Sequence, residues 1–264
     1  MMKTKICVIG GGNMGGAIIA GISKTFRVVL CEQDRKKASQ LKRKYSMAVA
    51  DLESGIKECS VIILAVKPQG FEGLLAELKN MNLSNKLWIS IAAGVTCRYI
   101  EKALNNKPRV IRTMPNLPAQ IQQGVTGISM GRFASNKDLK LACRIFDLIG
   151  TTVVVAEKDL DSITAISGSG PAYVFHFVEA FEKAASNLGI KDNAAHKLIV
   201  QTLKGSLALL EHQQESADIL RKRVTSKGGT TEAALKVFQK HKYEKIFKDA
   251  LSAAKKRAKE LSRS

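Results

Sequence analysis

Two stretches of this 264-residue chain have the composition of anion cradles. GGGNMG (10–15) sets Gly10, Gly12 and Gly15 in the spacing G-x-G-x-x-G, directly after the apolar run KICVI. TSKGGTTEAAL (225–235) sets Gly228 and Gly229, then Thr230 and Thr231, before a helical pattern. Glycines let a backbone turn tightly and approach a ligand closely. A helix start then supplies unpaired N–H groups and a partial positive charge, which suit phosphate or carboxylate. The first stretch lies between a strand-like run and a helical one, the setting in which this pattern signals a dinucleotide pyrophosphate site. Gly10, Gly11, Gly12, Asn13 and Met14 are the residues expected to hold it. A tight turn with no ligand is the alternative, and the strand–helix setting disfavours it.

Other residues that would meet such a cofactor stand at the carboxyl ends of strand-like runs, where open α/β sheets bind ligands. They are Ala65, Val66, Lys67 and Pro68 of AVKPQ, Ala92, Ala93 and Gly94 of AAG, and Met114, Pro115 and Asn116 of MPN. Lys67 reads equally well as a surface lysine. Glu32 ends the second strand-like run, where an acid would bind the ribose 2′-hydroxyl of NAD. Arg35, Lys36 and Lys37 follow, and they would suit the 2′-phosphate of NADP. The sequence leaves that choice open.

These residues need a scaffold, and the first 157 positions supply its pattern. Strand-like runs at 5–10, 26–31, 61–66, 87–92, 109–114, 124–130 and 151–156 alternate with helical patterns. Such alternation predicts an α/β fold, a doubly wound and mostly parallel sheet with helices on both faces. The continuous apolar character of the strands fits burial on both sides. After Glu157 only helical patterns follow, at about 159–166, 171–188, 192–212, 217–223, 231–240 and 243–261. The chain therefore divides into a dinucleotide-binding domain (1–157) and an all-helical domain (158–264).

Composition narrows the function classes. The apolar runs are too short to span a bilayer, and the N-terminal residues read as a first strand rather than a secretory signal. Five scattered cysteines without a CxxC pair indicate reduced thiols in the cytoplasm, and no metal site. The net charge of +19 raises the question of nucleic acid. It is spread along the chain, however, and aromatics make up only 5%. Attraction of small anionic ligands explains the excess as well.

GGGNMG, AVKPQ, SIAAGVT, RTMPNLPA, SGSGPAYVF (167–175) and SKGGTTEAAL together resemble pyrroline-5-carboxylate reductase, in order and over nearly the whole chain. The resemblance implies an N-terminal Rossmann domain and a C-terminal helical domain that forms an interlocked homodimer, with a decamer as a further assembly. It implies reduction of the cyclic imine 1-pyrroline-5-carboxylate to L-proline, the last step of proline synthesis, with NADPH preferred and NADH possible. It also gives the second cradle a role. Gly228, Gly229, Thr230 and Thr231 would hold the substrate carboxylate, and the Thr231 hydroxyl would orient the imine nitrogen as the catalytic group. Without a ligand, Thr230 or Thr231 would be only an N-cap. Glu157 matches a family acid near the nicotinamide and the substrate.

The sequence departs from the family pattern at Lys227, where a proline is usual, and at Lys222 and Arg223, where an acid is usual. Gln214 stands where some relatives have a glutamate, with Glu215 adjacent. The four histidines (His176, His196, His212, His241) stand singly in helical runs and read as packing or surface residues. A β-hydroxyacid dehydrogenase would share the layout, but it needs a lysine soon after SGSGPAYVFHF, and none appears before Lys183. A nucleic-acid-binding sensor that uses NAD(P) as a signal is the rival from another class. The charge supports it; the second cradle does not.

Overall fold

The computed structural model describes residues 4–262, and these pack as two compact units. Residues up to Pro171 join the end of the chain from Ala253 in the first; Ala172–Ser252 form the second. Packing thus groups residues 158–171 and the last helix turns with the sheet, although their pattern is helical.

The sheet of the first unit has eight strands: β1 (Lys5–Ile9), β2 (Arg27–Cys31), β3 (Ala48–Val49), β4 (Val61–Leu64), β5 (Leu87–Ser90), β6 (Arg109–Met114), β7 (Gly124–Met130) and β8 (Gly150–Val154). Their order is β3-β2-β1-β4-β5-β6-β7-β8. All neighbours are parallel except β6 and β7. Seven of the eight match the strand-like runs. The eighth, β3, is two exposed residues long and leaves no periodic trace.

The chain forms α1 (Asn13–Ile22), α2 (Arg35–Tyr45), α3 (Leu52–Glu58), α4 (Phe71–Leu78), α5 (Cys97–Leu104), α6 (Asn136–Phe146), α7 (Leu160–Ile163), α8 (Gly170–Asn187), α9 (Asp192–Gln213), α10 (Ala217–Arg223), α11 (Thr230–Lys240) and α12 (Tyr243–Leu261). Several of the sheet-flanking helices begin at side-chain caps. Asp34 accepts from the N–H groups of Lys36 and Lys37, Thr96 from Tyr99, and Ser135 forms a capping box with Asp138. One core lies under α1 and α6, with Ile18, Ile19, Ile22, Ile145 and Phe146 buried. The other lies on the opposite face, with Phe71, Leu75, Trp88 and Ile100 buried. Each buried isoleucine of α1 contributes about 1.5–3 kcal/mol from apolar burial.

The parallel register aligns the strand ends. Ile9 is level with Leu64, Leu64 with Ser90, and Ser90 with Arg112. Gly10, Ala65 and Ile91 therefore leave the sheet on one edge, while β6 runs on to Met114. The strand order reverses between β1 and β4, the switch point at which such sheets bind nucleotides.

The second unit has a different balance. No residue of α8, α10 or α11 is buried, and α9 buries only Ala195 and Ile199. Phe175, Leu198, Leu207 and Ile246 are 59%, 61%, 62% and 58% exposed.

Candidate active site

The first cradle is built by backbone contacts. Gly10 has φ +100, and its N–H donates to Cys31 O at 2.8 Å. A Cβ on Gly10 would stand 2.6 Å from Ala65 O, so β1 and β4 meet there without room for a side chain. A Cβ on Gly15 would collide with Gly10 O, which fixes how closely α1 starts under the turn. Gly12 is the N-cap of α1; nothing lies within 4 Å of where its Cβ would be, and no side chain caps the helix. The start of α1 thus has open space at its N-cap and no side-chain cap, as a pyrophosphate site requires.

Glu32 lies against this turn. Its Oε2 accepts the Gly11 N–H at 2.7 Å, and its Oε1 accepts the Asp34 N–H at 2.9 Å. Lys37 Nζ stands 3.7 Å away. Both oxygens brace backbone, while Arg35 and Lys36 remain exposed at the start of α2.

Ala65 and Val66 are half-buried at the end of β4, while Lys67 and Pro68 are exposed. In the β5 loop, Ala92 is buried, Ala93 and Gly94 are half-buried, and Gly94 has φ +79. Met114 borders a π-helical turn (Thr164–Gly168); a Cβ on Gly168 would stand 2.6 Å from Met114 Cε. Pro115 is buried. The Asn116 amide is committed: Nδ2 donates to Ser167 O at 3.1 Å, and Oδ1 accepts the Val125 N–H at 2.9 Å. Its side chain ties the end of β6 to the SGSG segment, leaving only backbone to line a ligand.

Glu157 is half-buried, with Oε1 2.7 Å from the Cys97 N–H and 3.5 Å from Arg112 Nη1. Burial first, and then the Glu157 carboxylate, push the Cys97 thiol far above its ordinary value. Arg112 and Asp161 escaped the sequence reading. The signal was available: an arginine in the middle of an apolar strand needs a buried partner.

In the second unit, the N-cap of α11 is Gly229, which puts Thr230 and Thr231 on the first two helical positions rather than at the cap. No side chain caps this helix. Gly228 has φ +76, and a Cβ on Gly229 would collide with the Ser226 hydroxyl. The Gly228 N–H donates to Glu232 Oε2 at 2.9 Å. That bond first, and the Lys236 ammonium second, hold the Glu232 carboxyl below its ordinary range. The contact therefore survives mild acid and is lost only as pH falls through the lowered value.

The cationic departures are partly neutralised. Arg223 donates to Gln213 Oε1 and Glu215 Oε1, both at 2.8 Å, and Lys222 pairs with Asp218 at 3.2 Å. Lys227 is exposed. Nor do the histidines all stand alone: His196 meets Glu182 at 2.7 Å and His176 meets Glu179 at 3.5 Å, all in exposed positions that fit a surface role.

A family model described as pyrroline-5-carboxylate reductase dimerisation matches residues 157–261. One described as NADP oxidoreductase, coenzyme F420-dependent, matches residues 5–94. The chain is 33% identical to the pyrroline-5-carboxylate reductase of Mycobacterium tuberculosis, covering 97% of this chain and 96% of the relative. For pyrroline-5-carboxylate reductase 2 of Bacillus subtilis the identity is 34%, covering 97% and 95%. The structure of a pyrroline-5-carboxylate reductase from Coxiella burnetii has a TM-score of 0.93 at 35% identity, covering 99% of this chain and 100% of that one. The Plasmodium falciparum pyrroline carboxylate reductase, crystallised with NADP bound, has a TM-score of 0.89 at 27% identity, with the same coverage. Two cradles of this geometry and relatives of this extent lead to one conclusion: the chain belongs to the pyrroline-5-carboxylate reductase family.

Proposed function

We propose that the protein reduces 1-pyrroline-5-carboxylate to L-proline, with a nicotinamide cofactor on the first cradle and the substrate carboxylate on the second. The fit of the cofactor rests on the open face at Gly12 and the uncapped start of α1. Gly10, Gly11, Gly12, Asn13 and Met14 hold its pyrophosphate by backbone N–H groups. Ala65, Val66, Lys67, Pro68, Ala92, Ala93 and Gly94 line its path, joined by the backbone of Met114, Pro115 and Asn116. The bound nicotinamide supplies the hydride.

NADPH is the preferred donor in this reading. Both Glu32 oxygens already brace the turn, so Glu32 is poorly placed to select NAD. Arg35 stands ready for a 2′-phosphate, and NADH remains a second donor.

The observation that carries the substrate assignment is the uncapped start of α11 behind two glycines. Gly228 lets the chain turn with open space beside it, Gly229 packs against Ser226 where no side chain fits, and Thr230 and Thr231 present N–H groups to the carboxylate. The Thr231 hydroxyl orients the imine nitrogen, which gains a proton as its carbon is reduced. No sharply basic side chain is required, because the task is to hold two rings in reactive geometry. Glu157 contributes through the backbone it holds.

The helical unit pairs with its copy as a homodimer, which its exposed apolar side chains support; a decamer is the further assembly. No helix among the described residues is long and apolar enough to cross a membrane. With its five free thiols, the protein is assigned to the cytoplasm, with small-molecule rather than nucleic-acid partners.

Thr231→Ala tests the central role. It should lower kcat/KM for the imine by about 10–100-fold while the cofactor dissociation constant and melting temperature stay put. An unchanged kcat/KM would remove Thr231 from the reaction.

A further inference from the structure

Arg112 sits on β6 with its side chain only 6% exposed. A buried guanidinium persists only where partners offset its lost hydration. Here there are two: Nη1 lies 3.5 Å from Glu157 Oε1, and Nη2 lies 3.5 Å from Asp161 Oδ1. Each carboxylate reaches onward. Glu157 Oε1 accepts the N–H of Cys97, the first residue of α5. The Ser262 hydroxyl, just past the end of α12, shares its proton between Asp161 Oδ1 at 3.2 Å and Ala258 O at 3.0 Å.

These two branches converge on one loop. Residues 91–96 connect β5 to α5 and end at the Thr96 cap, next to Cys97. On the other side, Leu261 O stands 2.8 Å from where a Cβ on Gly94 would be. Its own hydrogen bonds are long: the Ala92 N–H reaches Ser90 Oγ at 3.2 Å and the Val95 N–H reaches Ala92 O at 3.4 Å. Ala92 and Val95 sink into the core beside Phe71 and Trp88, and the rest of the loop is placed by the end of α12 above Gly94 and by Glu157 at the start of α5.

We propose that Arg112 is a positioning residue for the cofactor, clamping the loop at Ala92–Val95 from both sides through Glu157 and Asp161. The inference rests on the reading that this loop lines the cofactor. One guanidinium spans two carboxylates because its fork presents donors in two directions. An ammonium is a point charge and serves one of them at a time. Without the fork, the two carboxylates repel and the loop loses one or both of its anchors.

The test compares wild type, Arg112→Lys and Ser262→Ala as full-length proteins, by NADPH fluorescence titration and by amide exchange at residues 92–97. Arg112→Lys should weaken NADPH binding roughly tenfold and speed exchange in the loop, while KM for the imine at saturating NADPH stays within about twofold. Ser262→Ala, which cuts only the Asp161 branch, should weaken NADPH binding by a smaller factor, about two- to threefold. The clamp is refuted if both variants bind NADPH like wild type. It is also refuted if Arg112→Lys raises the imine KM as much as the NADPH constant, which would mark a general structural defect. If Arg112→Lys does not fold, Ser262→Ala alone decides: an unchanged NADPH constant refutes the clamp. Imine reduction does not enter the binding readout. A wild type that binds NADPH but leaves the imine untouched would overturn the assigned activity while the Arg112 comparison still stands or falls by itself.

Discussion

At the scale of single residues, the first cradle depends on atoms that are absent. Gly10 combines φ +100 with a backbone oxygen 2.6 Å from any added Cβ. Gly10→Ala should therefore cost about 1–3 kcal/mol of stability from strain, and more in cofactor affinity as β1 and β4 move apart. Thermal unfolding and NADPH titration would measure both; wild-type values for each would show that the turn tolerates a side chain. Glycine spacing made this turn legible, because the pattern depends on local backbone geometry. Glu32 shows the limit of such reading. Its place at the end of β2 was evident, but its bonds to Gly11 and Asp34 N–H groups exist only once the turn has folded. Arg112, Glu157 and Asp161 show it again. Their pairing joins residues 45 and 49 positions apart, which no local pattern encodes.

At the scale of elements, the parallel strands were legible because burial on both faces makes each one an unbroken apolar run, as in VIIL of β4. The two-residue β3 was not, because a strand that short has no period. The helices α8, α9 and α11 carry apolar side chains that the chain itself leaves exposed, among them Phe175, Leu207 and Val237. Such large exposed apolar area marks an interface, and the matched dimerisation family agrees. Replacing Phe175 by aspartate puts a charge on that face and should shift the protein toward monomer, read as a fall in mass by sedimentation at micromolar concentration. An unaltered oligomer would place the interface elsewhere. The boundary between the parts was less legible than the elements. The pattern turns helical after Glu157, whereas packing keeps residues up to Pro171 with the sheet. Buried Leu160 and Ala165, with the bond from Asn116 to Ser167 and the ion pair of Arg112 with Asp161, hold that segment there.

At the scale of the whole molecule, a chain of net charge +19 carries two glycine-rich loops, which we propose bind a nucleotide and a carboxylate. Charge near the second loop is already paired at Arg223 and Lys222, so the proposed recognition there falls to neutral backbone N–H groups and the helix start. The measurement that tests this account most directly is the oxidation of NADPH, followed by absorbance, with purified protein and 1-pyrroline-5-carboxylate, repeated with NADH. The account predicts oxidation that requires the imine and yields L-proline, with a higher kcat/KM for NADPH than for NADH. A folded protein that binds NADPH yet oxidises neither donor in the presence of the imine would contradict it.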